Sequence, residues 1–284
     1  MTNKNRTQTP LVSVVVPILN GMRYLDHTME SILAQDYPNV ELVIVDGGSI
    51  DGSREWVENF AAMPAIKDFL TPGSGAAANW TRCSELATGD YVKLVCQDDL
   101  LYPSALSAQV QDFLDHPQAK IAFAQRDIIS ASGKVLIKSR GCQGLDQGLV
   151  SGHSALLAGY VSGTNIYGEP EAVMFERVTM QSALPWEDAE PFLLDMFFYS
   201  KILDQHPAVV RHQSIGAFRI SSASWSTRLV SEHRSQFKSW QSDAASRLGR
   251  VSRLQKTRAT LNNEKTSLLR RMAYLWLGLR NQME

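Results

Sequence analysis

Cysteine is scarce in this 284-residue chain, and the three that are present, Cys83, Cys96 and Cys142, lie far apart. An odd number at this spacing gives neither a disulfide framework nor a zinc-ligand pattern, which fits a reducing compartment. The first ten residues are polar and lack the apolar core of a secretory signal. No uninterrupted apolar stretch approaches the roughly 20 residues that span a bilayer. These absences predict a cytoplasmic protein.

Two common ligand-binding patterns are also missing. The segment "GSGAAANW" (residues 73–80) is rich in glycine but lacks the Gly-Lys-Ser/Thr that defines a phosphate-binding loop. The histidines at 153, 206, 212 and 233 show no ligand-like spacing. Each is therefore expected on the surface or in the core rather than on a metal.

Charge is distributed unevenly, although the formal net charge is only -1. From Arg228 to the end there are 12 Lys or Arg and 4 Asp or Glu, whereas the rest holds 16 basic and 25 acidic residues. An acidic body with a basic end predicts that the end meets an anionic partner. The basic residues accompany a leucine stripe and not a set of stacking aromatics, so no nucleic-acid partner is expected.

Apolar β-branched runs alternate with helical patterns in the first half of the chain. The runs 11–17 and 40–46 are typical of strands buried on both faces, and 66–70 and 90–96 are predicted as further strands. This alternation predicts an α/β fold with a mostly parallel sheet and right-handed crossovers. Ligands bind such sheets at the carboxyl ends of the strands. Asp46 and Asp98 each follow a strand, so both should face one crevice.

The second half is less regular. Residues 119–130 and 134–140 predict two strands joined by a turn, after a helix over 103–114. A further helix is predicted from about Pro191 to Leu203. Residues 215–228 are predicted as a loop, and the chain after about Leu229 as helical.

Two adjacent carboxylates, Asp98 and Asp99, follow the predicted strand over 90–96. One hypothesis is that one or both cap the helix that follows. Capping needs only one acid, however, and a hard divalent cation would relieve the repulsion between two while binding phosphate oxygens. Cys96 is too soft a ligand for Mg²⁺ or Mn²⁺, so a metal here would have few protein ligands.

Asp46 has two interpretations as well. In "VIVDGGSIDGS" its carboxylate could cap its own loop, or it could accept N–H groups of a nucleobase lying across the sheet edge. The residue taken alone leaves both open.

Longer patterns carry a family resemblance. Residues 12–53 follow a strand-Pro-x-x-Asn, helix, Ser-Ile-Leu-x-Gln, strand-Asp-x-x-Ser-x-Asp-Gly order. Residues 75–103 add an Ala-rich helix, a Gly-Asp-Tyr strand and an acidic motif, and "GEPEAVMFER" and "FRISSAS" follow later. Over roughly residues 11–225 the chain resembles the inverting nucleotide-sugar glycosyltransferases of family 2, a bacterial surface-polysaccharide family. The resemblance implies the Rossmann-like GT-A fold.

The resemblance also implies roles for individual residues. Those expected to bind the nucleotide sugar, with a UDP-sugar favoured, are Pro17, Asn20, Asp46, Asn79, Gln97, Asp98 and Arg219. Asp98 falls on the last acid of the Asp-x-Asp motif, which holds a divalent metal, Mn²⁺ or Mg²⁺, on the donor diphosphate. Cys96 stands where the first acid of that motif is expected. Asp99 would then cap or position Asp98.

An inverting transferase needs a general base, which the family places at the start of a helix in the second half. Asp195 fits the spacing to Phe218 and Arg219, and burial in its apolar run would raise its pKa. Asp188, in "WEDAE", is the alternative. Arg219 would neutralise the diphosphate leaving group, and the His that family members often carry two residues later is here Ser221.

The predicted division is a GT-A domain over 1–228, with a nucleotide-binding half over about 11–115 and an acceptor-binding half over about 116–228. Residues 229–284 form a helical extension. Its leucines, Met272 and Trp276 recur at helical spacing among arginines, which predicts contact with a membrane surface, with a second copy, or with the catalytic domain.

The predicted function is transfer of a sugar to a hydroxyl of a glycan or lipid-linked acceptor in surface-polysaccharide synthesis, in the cytoplasm and peripherally on the inner face of the membrane. One alternative is an inactive nucleotide-binding or scaffold module, which Cys96 would explain. A sugar-phosphate nucleotidyltransferase is less favoured, because "PILNGMRYL" lacks a glycine-rich signature with basic residues after the first strand.

Overall fold

The computed structural model describes residues 9–222 and 224–280, and its secondary structure alternates strands with helices. The strands are Val12–Ile18 (β1), Val40–Asp46 (β2), Ala65–Phe69 (β3), Tyr91–Leu94 (β4), Leu100–Leu101 (β5), Ile121–Ile129 (β6), Val135–Arg140 (β7), Gly148–Val150 (β8), Val173–Glu176 (β9) and Ala208–Arg219 (β10).

The helices lie on both faces of the sheet or follow it. They are Met22–Leu33 (α1), Ser53–Asn59 (α2), Gly75–Leu86 (α3), Ala105–Asp115 (α4), Gly152–Ser162 (α5), Arg177–Ser182 (α6), Leu194–Leu203 (α7), Trp225–Arg228 (α8), His233–Leu248 (α9) and Arg253–Leu279 (α10). Short 3₁₀ segments cover Pro170–Ala172, Pro191–Leu193 and Val230–Glu232.

The first half forms the parallel part of the sheet, as predicted. The order is β3-β2-β1-β4, and every neighbouring pair in it is parallel. All seven residues of β1 are buried, because α-helices cover both faces of a central parallel strand. Pro17 pairs with Val45, but β4 has already left β1 after Val15. The missing N–H of Pro17 therefore costs no bond to β4.

The second half departs from the prediction of a mostly parallel sheet. Strand β9 runs antiparallel between β4 and β6, and β6 pairs in parallel with β10. Strands β5, β7 and β8 add antiparallel pairs, so the sheet is mixed. The prediction of a loop over 215–228 was wrong in its first part, because β10 extends to Arg219 along β6. Polar residues and one glycine interrupt the apolar pattern of β10, which hid the strand.

The C-terminal helices share the core of the rest of the chain. Trp240 of α9 is fully buried, and its indole N–H donates to Ser200 of α7 at 2.9 Å. On α10, the Asn262 side chain donates to the Val161 carbonyl at the end of α5 at 2.7 Å. The division at residue 228 stays a prediction. Among the described residues no helix is long and apolar enough to cross a membrane.

Candidate active site

The loops that follow β1 and β2 are joined to each other. The Asn20 side-chain oxygen accepts the Ile50 N–H at 2.9 Å, and the Asn20 N–H donates to the Ser49 hydroxyl at 2.9 Å. Asn20 has a φ of 53°, a left-handed conformation that asparagine tolerates better than most residues. The buried Asp46 carboxylate accepts the N–H groups of Gly48 at 3.1 Å and Ser49 at 3.2 Å. Asp46 therefore caps its own loop, and its contact with a base stays a prediction.

Two amides hold the end of β1 where β4 has left it. Gln97 accepts the Leu19 N–H at 2.5 Å and donates to the Leu19 carbonyl at 2.8 Å, as a neighbouring strand would. The buried Asn79 of α3 donates to the Ile18 carbonyl at 3.0 Å, while its own side-chain oxygen has no partner in the described structure. That unpaired acceptor lies at the predicted nucleotide end of the sheet.

The acidic pair lies in a turn after β4. Asp99 is buried and accepts the Arg219 N–H of β10 at 3.0 Å, so it anchors the turn to a neighbouring strand and does not cap α4. Burial, followed by the charges of Glu171 and Asp98, raises the pKa of Asp99 well above its usual range. Burial also raises the pKa of Asp98, although Arg219 and the Ser224 hydroxyl act in the opposite direction.

The Arg219 side chain holds this turn through hydrogen bonds to backbone carbonyls. Its Nε donates to the Asp98 carbonyl at 2.8 Å, and its Nη1 donates to the Ala131 carbonyl at 3.0 Å. The guanidinium also lies over the Tyr24 ring, 4.6 Å from its centre. These contacts give the buried Arg219 a positioning role in the turn, and its predicted contact with a diphosphate stays a prediction.

Asp195 lies in the first turn of α7 and is held by two donors. Its Oδ1 accepts the Met196 N–H at 2.7 Å, and its Oδ2 accepts the Asn165 side-chain amide at 2.8 Å. Burial, and then the charge of Glu169, raises the pKa of Asp195 to about 7. A carboxyl with that pKa can exchange a proton near neutral pH, as a general base requires.

One cavity of about 150 Å³ brings Asp98 and Asp195 together. It lies between the turn after β4, the Asn165–Pro170 segment, the start of α7 and the C-terminal helices. Its walls include Trp80, Cys96, Asp98, Asp99, Asn165, Glu169, Pro191, Phe192, Asp195, Ser224, His233 and Arg270. Asp188 is exposed and lies outside these walls, near the start of α3. The structure thus brings Asp195, and not Asp188, to the cavity that contains the acidic turn.

The role of Asp98 as a ligand of a metal on a bound diphosphate stays a prediction. Among the described residues no group of three or more His, Cys, Asp or Glu is arranged to hold a metal ion. Burial and the neighbouring carboxylates raise the pKa of the Cys96 thiol well above its usual range, and sulfur is in any case a soft ligand for Mg²⁺ or Mn²⁺. A cation would therefore have the Asp98 carboxylate as its protein ligand and take its other ligands from the diphosphate and water.

Several charged residues near the cavity were not predicted as site residues. Buried Arg126 pairs with Glu169, and buried Glu171 has a pKa raised to about 8 by burial and by Glu169. Lys93, fully buried in β4, donates to Gln109 at 2.6 Å, and burial lowers its pKa to about 7. The first two acids in "GEPEAVMFER", Glu169 and Glu171, were the signal available in the sequence for this cluster.

The segment that contains the loops after β1 and β2 and the acidic turn matches a known protein family. Residues 13–148 match the family described as "Glycosyl transferase family 2". The chain thus carries a segment, somewhat less than half of its length, that matches glycosyl transferase family 2. This match confirms the family predicted from the sequence motifs.

Relatives of this domain differ in length from the chain. An uncharacterized protein of Mycobacterium tuberculosis is 28% identical over 79% of this chain and 72% of its own length. The putative teichuronic acid biosynthesis glycosyltransferase TuaG of Bacillus subtilis is 30% identical over 45% of this chain and 52% of its own length. An uncharacterized glycosyltransferase of Haemophilus influenzae is 35% identical, and this chain spans 44% of it.

Solved structures confirm the GT-A fold. TarS of S. aureus, solved with UDP, superposes with a TM-score of 0.62 at 17% identity over 84% of this chain and 69% of that chain. The mannosyltransferase PcManGT from Pyrobaculum calidifontis, solved with GDP-Man and Mn²⁺, gives a TM-score of 0.64 at 18% identity over 96% of this chain and 76% of that chain.

Proposed function

We propose that the family 2 domain is an inverting glycosyltransferase that moves a sugar from a nucleoside-diphosphate sugar, with UDP favoured, to a hydroxyl of a glycan or lipid-linked acceptor. The observation that carries this proposal is the shared cavity of Asp98 and Asp195. It offers a ligand for a diphosphate-bound cation and a carboxyl of suitable pKa within one cavity. The match to TuaG supports a role in surface-polysaccharide synthesis.

The proposed mechanism is a single displacement. Asp195 accepts the proton of the acceptor hydroxyl as its oxygen attacks the anomeric carbon, and the bond from that carbon to the diphosphate oxygen breaks. Asn165 and the Met196 N–H hold the carboxylate in place for this transfer. A divalent cation, Mn²⁺ or Mg²⁺, would supply charge stabilisation to the departing diphosphate, held on the protein side by Asp98.

On the donor side, Asn20, Asp46, Asn79 and Gln97 are proposed to form the nucleotide pocket with Pro17. This pocket is supported by the position of these residues beside the carboxyl ends of β1 and β2, where ligands bind in such sheets. The unpaired side-chain oxygen of Asn79 is an acceptor that a nucleotide N–H or hydroxyl would satisfy.

A nucleotide-binding module without transfer is the second candidate. The protonated Cys96 thiol at the first acid position of the motif favours it, because the metal then has a single protein carboxylate. Both candidates bind a nucleotide, and only the first transfers a sugar. Product formation therefore separates them.

Nucleoside diphosphates and their sugars are expected to raise the melting temperature of the protein when Mn²⁺ is present. A ligand at about 100 times its Kd stabilises by about 2.7 kcal/mol, which corresponds to a shift of about 5 °C or more in a chain of this size. Thermal-shift assays with uridine, guanosine and thymidine nucleotides, with and without Mn²⁺, measure this. If UDP raised the melting temperature equally without Mn²⁺, the cation would have no part in donor binding. If no nucleotide raised it, the proposed function would be overturned.

We propose in addition that the outer face of α10 contacts an anionic membrane surface, with the protein on the cytoplasmic side. Leu268, Met272, Leu275 and Leu279 recur three or four residues apart on α10 and are 57 to 87% exposed. Basic side chains flank this stripe, which suits an anionic lipid surface. The alternative is that this face of α10 contacts another copy of the chain, and the following test distinguishes the two.

The double substitution Leu275→Glu with Trp276→Glu is expected to release the protein from phosphatidylglycerol-containing vesicles. It removes about 3 kcal/mol of apolar burial, which corresponds to about a 100-fold weaker partition. Leu254→Glu, at the other end of α10 and 60% exposed, is the matched control. Co-sedimentation measures binding. Equal pelleting of the double variant, or a change from dimer to monomer on sizing columns, would contradict the membrane role.

A further inference from the structure

Arg270 belongs to the inward face of α10, opposite the exposed leucine stripe. It is in helical register with Asn263, Ser267, Tyr274 and Leu277, which are all buried against the body of the protein. Its guanidinium lies over the Phe192 ring, 5.3 Å from the ring centre, and lines the cavity that holds Asp195. The C-terminal extension thus delivers a cation to the wall of the proposed active site.

This cation lacks a counter-charge in the described part of the chain. Other arginines pair with carboxylates, as Arg126 does with Glu169, Arg211 with Asp112 and Arg247 with Asp243. Neither Arg270 nor Arg140 forms an ion pair with a carboxylate among the described residues, although both are partly buried. Partly buried charges are normally paired, because desolvation without a partner is costly.

The Arg270 charge acts on two neighbouring residues. Burial, and then the charges of Arg126 and Arg270, lowers the pKa of Arg140. Burial, and then the charges of Arg270 and Arg271, lowers the pKa of His233 to about 3, so the imidazole is neutral at physiological pH. Positive charge thus accumulates around Arg270, although the Glu169 carboxylate acts in the opposite direction on Arg140. An anionic group on a bound ligand would balance the positive charge of Arg270.

His233 supplies a second group at the same wall. Its ring is 1% exposed and lines the cavity, its Nδ1 lies 3.0 Å from the Ser267 hydroxyl, and its Nε2 has no partner in the described structure. When the Ser267 hydroxyl donates to Nδ1, Nε2 carries the hydrogen and can donate to a ligand oxygen. A buried unpaired donor beside unbalanced guanidinium groups is the arrangement that a phosphate group satisfies.

We propose that Arg270, with His233 and with Arg140 behind it, binds a phosphate group of the acceptor. This inference deepens the proposed function and rests on it for the word acceptor. The donor diphosphate is assigned to Asp98 and to the loops after β1 and β2, whereas Arg270 and Phe192 adjoin the Pro191–Leu193 segment that leads to Asp195. An anion bound there belongs to the molecule whose hydroxyl reaches Asp195. The acceptor class is therefore a phosphate-bearing glycan or a lipid phosphate.

Arg270→Gln in the full chain is expected to weaken binding of glycerol 3-phosphate by at least about tenfold, because a charge-assisted hydrogen bond contributes about 1.5–3 kcal/mol. Arg140→Gln should weaken it less, and Arg280→Gln, which removes an arginine from the outer end of α10, should not. Isothermal titration calorimetry with glycerol 3-phosphate measures this, with glycerol as the neutral probe and UDP with Mn²⁺ as the donor probe. Circular dichroism and melting curves show whether each variant is folded.

Three outcomes would overturn the inference. Equal glycerol 3-phosphate affinity of Arg270→Gln and the unsubstituted protein would exclude Arg270. Equal binding of glycerol would exclude the phosphate. A tenfold loss of UDP affinity in Arg270→Gln would assign the arginine to the donor. If glycerol 3-phosphate binding depends on Arg270 while no nucleotide binds, the anion site stands and the glycosyltransferase proposal fails, so the two are separable.

One further measurement distinguishes a phosphate-bearing polymer from a lipid carrier as the acceptor. Arg270→Gln should raise KM for a soluble phosphodiester-linked oligosaccharide if the phosphate belongs to a polymer. It should raise KM for an undecaprenyl-diphosphate-linked sugar if the phosphate belongs to a lipid carrier. In both cases kcat at saturation should change less than KM, because Arg270 binds the acceptor and does not move the proton. An unchanged KM for both acceptors would contradict the acceptor assignment.

Discussion

Asp195→Asn is expected to lower kcat for sugar transfer by about 10²–10⁴-fold, the usual contribution of a placed general base. The amide cannot accept the proton of the acceptor hydroxyl. Donor affinity should be retained, because the residues assigned to the nucleotide lie in the loops after β1 and β2 and Asp195 hydrogen-bonds to Asn165 and Met196. Single-turnover transfer assays with UDP-sugar, together with calorimetry of UDP binding, separate the two effects.

The control for this variant is Asp188→Asn. Asp188 is exposed and outside the cavity, so its replacement should leave kcat within about twofold, as for most surface substitutions. Asp195→Asn leaves one of its two donors, Asn165 or Met196, facing an amide N–H. Melting curves of the variant are therefore needed. Near-normal transfer by a folded Asp195→Asn protein, with loss in Asp188→Asn, would move the base to Asp188.

The pH profile tests the same assignment without a substitution. The base acts when ionised, and burial with the Glu169 charge raises the pKa of Asp195 to about 7. The transfer rate should therefore fall about tenfold per pH unit below 7 and level off above it. Glu169→Gln removes the charge that raises this pKa, so the acid limb should move to lower pH. A rate that stays constant down to pH 5 would contradict Asp195 as the base.

The first half of the fold could be predicted closely from the sequence, because its signal is local. A strand covered on both faces needs a continuous apolar run, and 40–46 meets that requirement over the same residues as β2. The helix predicted over 103–114 is observed as Ala105–Asp115. The Ala-rich helix expected within 75–103 is observed as Gly75–Leu86, and an extended Ala87 follows it toward β4.

Features that depend on distant partners could not be predicted in this way. Strand β10 contains Arg211, whose side chain donates to Asp112 of α4, and His212, whose Nε2 lies 2.9 Å from the Leu145 carbonyl before β8. Strand β9 is only four residues long and takes its direction from β4 and β6 on either side. No local pattern in either segment distinguishes a strand from a loop.

The candidate site likewise has features that the sequence motifs predicted and features that depend on distant partners. Asp98 and Asp195 were predicted from motif spacing, and the structure places both in one cavity. The part played by Asp99 was not foreseen, because its partner is the N–H of Arg219, 120 residues later. Arg270 was noted only as a basic residue in an amphipathic pattern. The direction it faces depends on how α10 packs against α5 and α9, which the helical period alone does not fix.

Asp98→Asn is expected to abolish the Mn²⁺-dependent part of donor binding. Loss of residues that merely orient metal ligands costs about 10–100-fold in metal affinity, so loss of the one protein carboxylate ligand should cost at least about 100-fold. The backbone carbonyl of Asp98, which accepts the Arg219 Nε, is unchanged in this variant, so the turn should keep its shape. Calorimetry of UDP binding at several Mn²⁺ concentrations measures the loss.

Cys96→Asp is the reciprocal variant, because it restores a hard oxygen ligand where burial keeps the thiol protonated. It should strengthen Mn²⁺-dependent UDP binding in the protein that retains Asp98. The gain should vanish in the double variant with Asp98→Asn, because that variant again offers the cation a single carboxylate. If Asp98→Asn binds UDP and Mn²⁺ as the unsubstituted protein does, the acidic turn is structural. Transfer would then depend on Asp195 and on the cations around the cavity, with Arg270 the first to examine.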